Sequence, residues 1–133
     1  MARTLSLLFA AGCLGGLLNS MTVWGSGQLG LTTALGVAIA PQLTAAWLYP
    51  RIVWGGLWGV LFLLPMRRLH WWHRGLLFSL GPSLVQLFIV FPFKADKGMG
   101  GLALGVLTPL FVVLFNAVWG LAAAWWLTLC RRR

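Results

Sequence analysis

Arg51 sits in the stretch YPRIVWGG, residues 49–56, and is the only formal charge between Thr4 and Met66. A guanidinium in so apolar a setting either snorkels toward lipid headgroups or faces other polar groups inside the protein. The tripeptide VWG at 53–55 recurs at 118–120, and that register sets Arg51 against Asn116. Arg51 precedes Arg67 by 16 residues, about 24 Å of helix, and Asn116 precedes Arg131 by 15, so the two share a depth. We read Arg51 and Asn116 as the centre of a candidate intramembrane polar site facing across an axis between two halves. Gln86 and Asn19, each inside a long apolar run, are the further candidates. Ser20, Thr32, Thr33, Gln42, Thr44 and Thr108 would extend a neutral-to-positive polar route, or serve only local hydrogen bonding. The bland reading of Arg51, which comes first, is an anchor that snorkels toward the outer headgroups; the paired polar site is the alternative.

The chemistry that is missing narrows the field further. Asp96 is the one acidic residue, in the KADK stretch at 94–97, so paired-carboxylate acid–base catalysis is excluded within one chain. A cation carrier coupled through a membrane carboxylate is disfavoured for the same reason. His70 and His73 are three apart, but two nitrogens make a weak metal site. GMGG at 98–101 lacks the Lys and Ser or Thr of a phosphate loop. Cys13 and Cys130 lie far apart in apolar runs and read as structural thiols. No catalytic residues, metal ligands or cofactor are expected.

These side chains must be positioned by helices in a membrane. The 133 residues are 60% hydrophobic and 8% charged, against about 25% charged for a soluble domain, so the chain lacks a polar surface. Segments 5–23, 75–93 and 98–130 carry no charge, and roughly 20 apolar residues suffice to cross a bilayer core. The apolar run of the first segment continues beyond the usual signal-peptide length, so it reads as a retained span. The net charge of +9 gathers at segment ends, in Arg3, then Arg67, Arg68 and Arg74, then Arg131 to Arg133. That distribution marks cytoplasmic flanks beside anionic lipid rather than a nucleic-acid surface.

Repeat markers organise the chain. LLFAAG at 7–12 matches LLFSLG at 76–81, and LGV at 35–37 matches LGV at 104–106, both at an offset of 69. VWG follows at an offset of 65, and basic clusters close both copies. The expectation is an all-α integral membrane protein of about four spans, built as two parallel repeats over 1–68 and 69–133. The spans are read at about 5–23, 42–66, 75–93 and 109–130, with both termini and the 67–74 loop cytoplasmic and 94–97 external. Segments 28–40 and 98–107 are too short to cross and read as re-entrant or broken helices. A long helix kinked at Pro41 or Pro109 is one alternative, and a lengthy external loop is another.

Glycines at four-residue spacing, Gly12 with Gly16 and Gly55 with Gly59, would let helices approach closely. Of the nine Trp, the pairs Trp71–Trp72 and Trp125–Trp126 suit an interfacial belt, with Trp24 and Trp47 opposite. Trp54, Trp58 and Trp119 are placed less easily. The chain so described is expected to be a small accessory or assembly subunit of a membrane complex. An oligomeric channel or carrier for an anionic or neutral small solute is the alternative. Its expected partners are membrane lipids and either itself or another integral membrane protein, with no nucleic acid. Its expected location is a bacterial inner membrane.

Overall fold

The computed structural model describes residues 1–66 and 68–131, without the Arg131 side chain, so Arg67, Arg132 and Arg133 of the basic clusters lie outside the described residues. Helices α1 (Ala2–Gln28), α2 (Leu31–Ala34), α3 (Ala45–Trp58), α4 (Trp71–Val85) and α5 (Thr108–Arg131) follow in order, with no strand among the described residues. Three helical stretches are long and apolar enough to cross a membrane: Ala2–Gln28, Trp71–Lys94 and Thr108–Cys130. They are consistent with a membrane protein.

The apolar run expected at 42–66 is divided. Thr44 caps α3 by accepting a hydrogen bond from the Trp47 N–H at 3.2 Å, which fixes its first residue. The helix runs on through Pro50, which has no N–H to give the Ala46 carbonyl. It then tightens into a 3₁₀ turn over Gly59–Leu63. α4 loosens instead, passing directly into a π-helical stretch, Gln86–Lys94, that contains Pro92. The Ala95 N–H closes this wide turn on the Val90 carbonyl at 2.7 Å.

Segments 28–40 and 98–107 are neither crossing helices nor long kinked extensions. The first holds only the single turn of α2, and the second a 3₁₀ turn at Met99–Gly101. Both contain LGV, and the two tripeptides meet: the Ala38 N–H donates to the Leu104 carbonyl at 2.9 Å. Gly105 adopts φ 151°, and a β-carbon there would strike the Gly36 carbonyl. Only glycine fits that crossing. The segments thus form an interlocked cap over one end of the bundle, here termed the loop end. The opposite, terminal end holds the start of α1, the end of α5 and the connection between α3 and α4.

Antiparallel α1 and α3 pack through the two glycine pairs. A β-carbon on Gly16 would lie 2.9 Å from the Arg51 carbonyl, and one on Gly55 would lie 2.9 Å from Gly16 Cα. Gly12 and Gly59 are likewise pressed against the opposing backbone, at Gly55 and Leu8. Gly75 and Gly120 make the same kind of contact between α4 and α5. Helix α1 also packs on α5, so the order around the bundle is α3, α1, α5, α4. The main apolar core fills the terminal half, with Leu8, Phe62, Phe78, Trp119 and Ala123 buried together. Arg74 belongs to that core rather than to an exposed basic flank. Its Nη2 donates to the Phe62 carbonyl at 3.2 Å, and its guanidinium lies 5.8 Å from each of the Phe62 and Phe78 rings. Arg68 is exposed.

Candidate functional site

Arg51 lies six residues into α3, about 9 Å from its loop-end start. Trp47, one turn earlier on the same face, places its ring 4.8 Å from the guanidinium carbon. Nη2 donates to Asn19 Oδ1 at 2.8 Å, and Nε donates to Ser20 Oγ at 2.9 Å. Ser20 accepts this bond while its hydroxyl donates to the Gly16 carbonyl at 2.7 Å. Arg51 can approach α1 so closely because Gly16 offers no side chain beneath it.

The network continues across the bundle. Asn19 Nδ2 donates to the Phe115 carbonyl and, at 3.4 Å, to Asn116 Oδ1. Asn116 Nδ2 donates to Ser83 Oγ at 3.1 Å and to Gln86 Oε1 at 3.4 Å. Arg51, Asn19, Asn116 and Gln86 therefore lie together, contributed by α3, α1, α5 and the π-helical stretch. Ser83 was not singled out from the sequence. Its spacing of three from Gln86, which puts both on one helical face, is the signal that could have found it.

A guanidinium only donates, and this fixes the sense of every bond that follows. Asn19 turns its oxygen to Arg51 and its amide nitrogen to Asn116. Asn116 repeats the pattern toward Ser83 and Gln86. Each acceptor is used facing Arg51, so donors accumulate at the far end. Among the described residues neither Arg51 Nη1 nor the Gln86 amide nitrogen has a hydrogen-bond partner, and no carboxylate pairs with Arg51. The cluster is cationic, and its unused groups are donors.

Two cavities share this cluster. A vestibule of about 370 Å³ lies beneath the interlocked cap, walled by Trp47, Phe91, Val112 and Phe115. A groove of about 490 Å³ opens sideways between α3 and the α4–π helix, walled by Trp54, Trp58, Pro82, Ile89 and Val90. Asn19, Arg51, Gln86 and Asn116 line both, and neither is lined by an acidic residue. Below them the bundle is packed. Trp119, only 3% exposed, wedges between α1 and α3 and donates its indole N–H to the Gly12 and Gly55 carbonyls, each at 3.2 Å.

The other polar candidates serve elsewhere. Thr32 is buried and donates to the Ile39 carbonyl at 2.7 Å, tying down the cap. Thr44 caps α3, while Thr33 and Gln42 are exposed. Thr108 is buried at the first residue of α5, and its hydroxyl makes no hydrogen bond among the described residues. No group of three or more His, Cys, Asp or Glu side chains that could hold a metal occurs among the described residues. Comparison with protein-family models, with curated proteins and with solved structures returns no match.

Proposed function

We propose that this chain is a small membrane carrier whose binding site, the Arg51 network, takes an anionic molecule. One observation carries the reading: a guanidinium without a carboxylate partner stands at the junction of two cavities, at the head of a chain of amides that leaves further donors beyond it. Anions are bound where donors and positive charge converge in a site with little water. The packed core at the terminal half supports a carrier over an open channel, since the vestibule ends above Trp119. The accessory-subunit reading drew its strength from the lack of a complete site. A donor-rich cluster facing two cavities favours the binding reading.

The reading includes four spans. The 14 residues of α3 rise about 21 Å, and the five 3₁₀ residues after it rise about 10 Å, together a bilayer core. The two halves are read as parallel repeats because each pairs its helices through facing glycines and because the two LGV segments meet. Arg3, Arg68 and Arg131 support, by the positive-inside tendency, a cytoplasmic terminal end, and the reading takes the membrane to be a bacterial inner membrane.

The test uses purified protein reconstituted in neutral-lipid nanodiscs and titrated with labelled phosphate and with an anionic phospholipid. Wild type is expected to bind at least one of the two saturably. Arg51→Gln is expected to weaken that binding about tenfold or more, and Arg51→Lys to keep part of it. Equal binding by wild type and Arg51→Gln would remove the site from the proposal.

A further inference from the structure

We infer that the anion taken at Arg51 is the headgroup of an amphiphile: an anionic phospholipid from the loop-end leaflet, with one acyl chain in the α3–α4 groove. The inference rests on the reading of Arg51 as an anion site and names the substrate class for it.

The two cavities differ in the way the two parts of a lipid differ. The groove opens sideways, toward where the acyl chains of a bilayer would lie, and its walls are Trp54, Trp58, Ile89 and Val90. It runs down the π helix and α4 from Lys94 to Pro82. Those thirteen residues span at most about 18 Å, and below the guanidinium the α3 wall from Arg51 to Trp58 gives about 10 Å, room for the upper part of one acyl chain in a leaflet about 15 Å deep. The vestibule lies on the loop-end side of the same cluster, beneath the cap, and has room for a polar headgroup. Arg51 and Gln86 line both spaces, and Lys94, exposed at the loop-end rim of the groove, adds a second cation.

A free inorganic anion explains only part of this arrangement. It needs the donors and the vestibule, but not a lateral apolar groove running past the same guanidinium. The groove also brings no acidic side chain near an incoming phosphate. A phosphate can accept from the Arg51 guanidinium, while Lys94 at the rim adds positive charge along the way in. The chain below it would cover Trp54, which is 60% exposed, and Ile89, which is 54% exposed.

The experiment compares retention of phosphatidylglycerol and phosphatidylcholine by the purified full chain, read by native mass spectrometry, with binding of inorganic phosphate measured in parallel. Wild type is expected to retain phosphatidylglycerol about tenfold better than phosphatidylcholine. Arg51→Gln should abolish that preference and Arg51→Lys should restore part of it. Ile89→Trp narrows the groove from a lipid-facing position that does not hold the bundle together. It should lower phosphatidylglycerol retention while leaving phosphate binding unchanged. Phosphate binding that depends on Arg51, with no lipid preference and no effect of Ile89→Trp, would overturn the lipid assignment and leave the anion site standing. Binding of neither ligand would overturn both. A polypeptide cross-linking to position 89 in native membranes, with no lipid retained, would overturn the assignment in favour of a protein occupant.

Discussion

Two seams join the α1–α3 half of the bundle to the α4–α5 half, and they are built in opposite ways. Along the α1–α5 seam, Gly15 lets the Trp119 backbone come so close that a β-carbon would stand 2.6 Å from its carbonyl oxygen. Trp119 then crosses the seam to bond two carbonyls, and Asn19 crosses it to bond Phe115 and Asn116. Along the α3–α4 seam, contact is made toward the terminal end, where Gly81 faces Leu61 and Trp58. Above that point the seam opens into the groove. Lipid competes for apolar surface as well as another helix does, so apolar side chains alone do not close a membrane seam. Backbone approach and interhelical hydrogen bonds close the first. The second has neither along the groove, because Arg51 directs its bonds to α1 and away from α4.

The contrast can be broken most severely at Gly15. Gly15→Leu drives a side chain into backbone and is expected to cost about 3 kcal/mol or more. Denaturant unfolding in micelles would read that loss, and a wild-type midpoint would show that the seam does not depend on close approach. Trp119→Phe keeps an aromatic ring but deletes the shared N–H and part of the buried indole, with an expected cost of about 2 kcal/mol or more in the same assay. A smaller loss than that of an exposed-Trp control such as Trp54→Phe would show that the two carbonyl contacts contribute nothing. Gly81→Ala sharpens the comparison from the open side. Its new methyl would meet the flexible end of Leu61 at 2.9 Å, and alanine favours the helix, so the change should stay within about 1 kcal/mol. A collapse there as large as that of Gly15→Leu would make the two seams equivalent.

The polar residues were legible in the sequence, whereas their directions were not. Helical rise sets Arg51 and Asn116 at one level, but Asn19 stands between them and bonds to both, so the two do not face each other directly. Asn19 and Gln86 stand out as isolated amides in apolar runs. Which way each side chain turns depends on which helices are neighbours, and that is a tertiary property. Ser83 went unnoticed because a serine in a membrane helix most often bonds its own backbone, as it also does here to the Ser79 carbonyl at 2.8 Å. Arg74 read as part of a basic flank because its neighbours in sequence are basic, although its aliphatic stem and guanidinium settle on Phe62 and Phe78. The 3₁₀ and π turns left no signal in periodicity. Each is a local change of pitch chosen by packing, at Gly59 in one case and around Pro92 in the other.

The bond between Arg51 and helix α1 also bears on how the protein is made. Segments enter a membrane in order of synthesis, and α1 carries no charge after Arg3 and buries Asn19 and Ser20. An arginine within a span costs about 3 kcal/mol on insertion scales, and α3 is short and interrupted by Pro50. On the four-span reading its guanidinium would reach the bilayer with Asn19 and Ser20 already there to receive it. The first helix would then act as an internal template for its successor, with α1 and α3 entering as a hairpin rather than as two independent insertions.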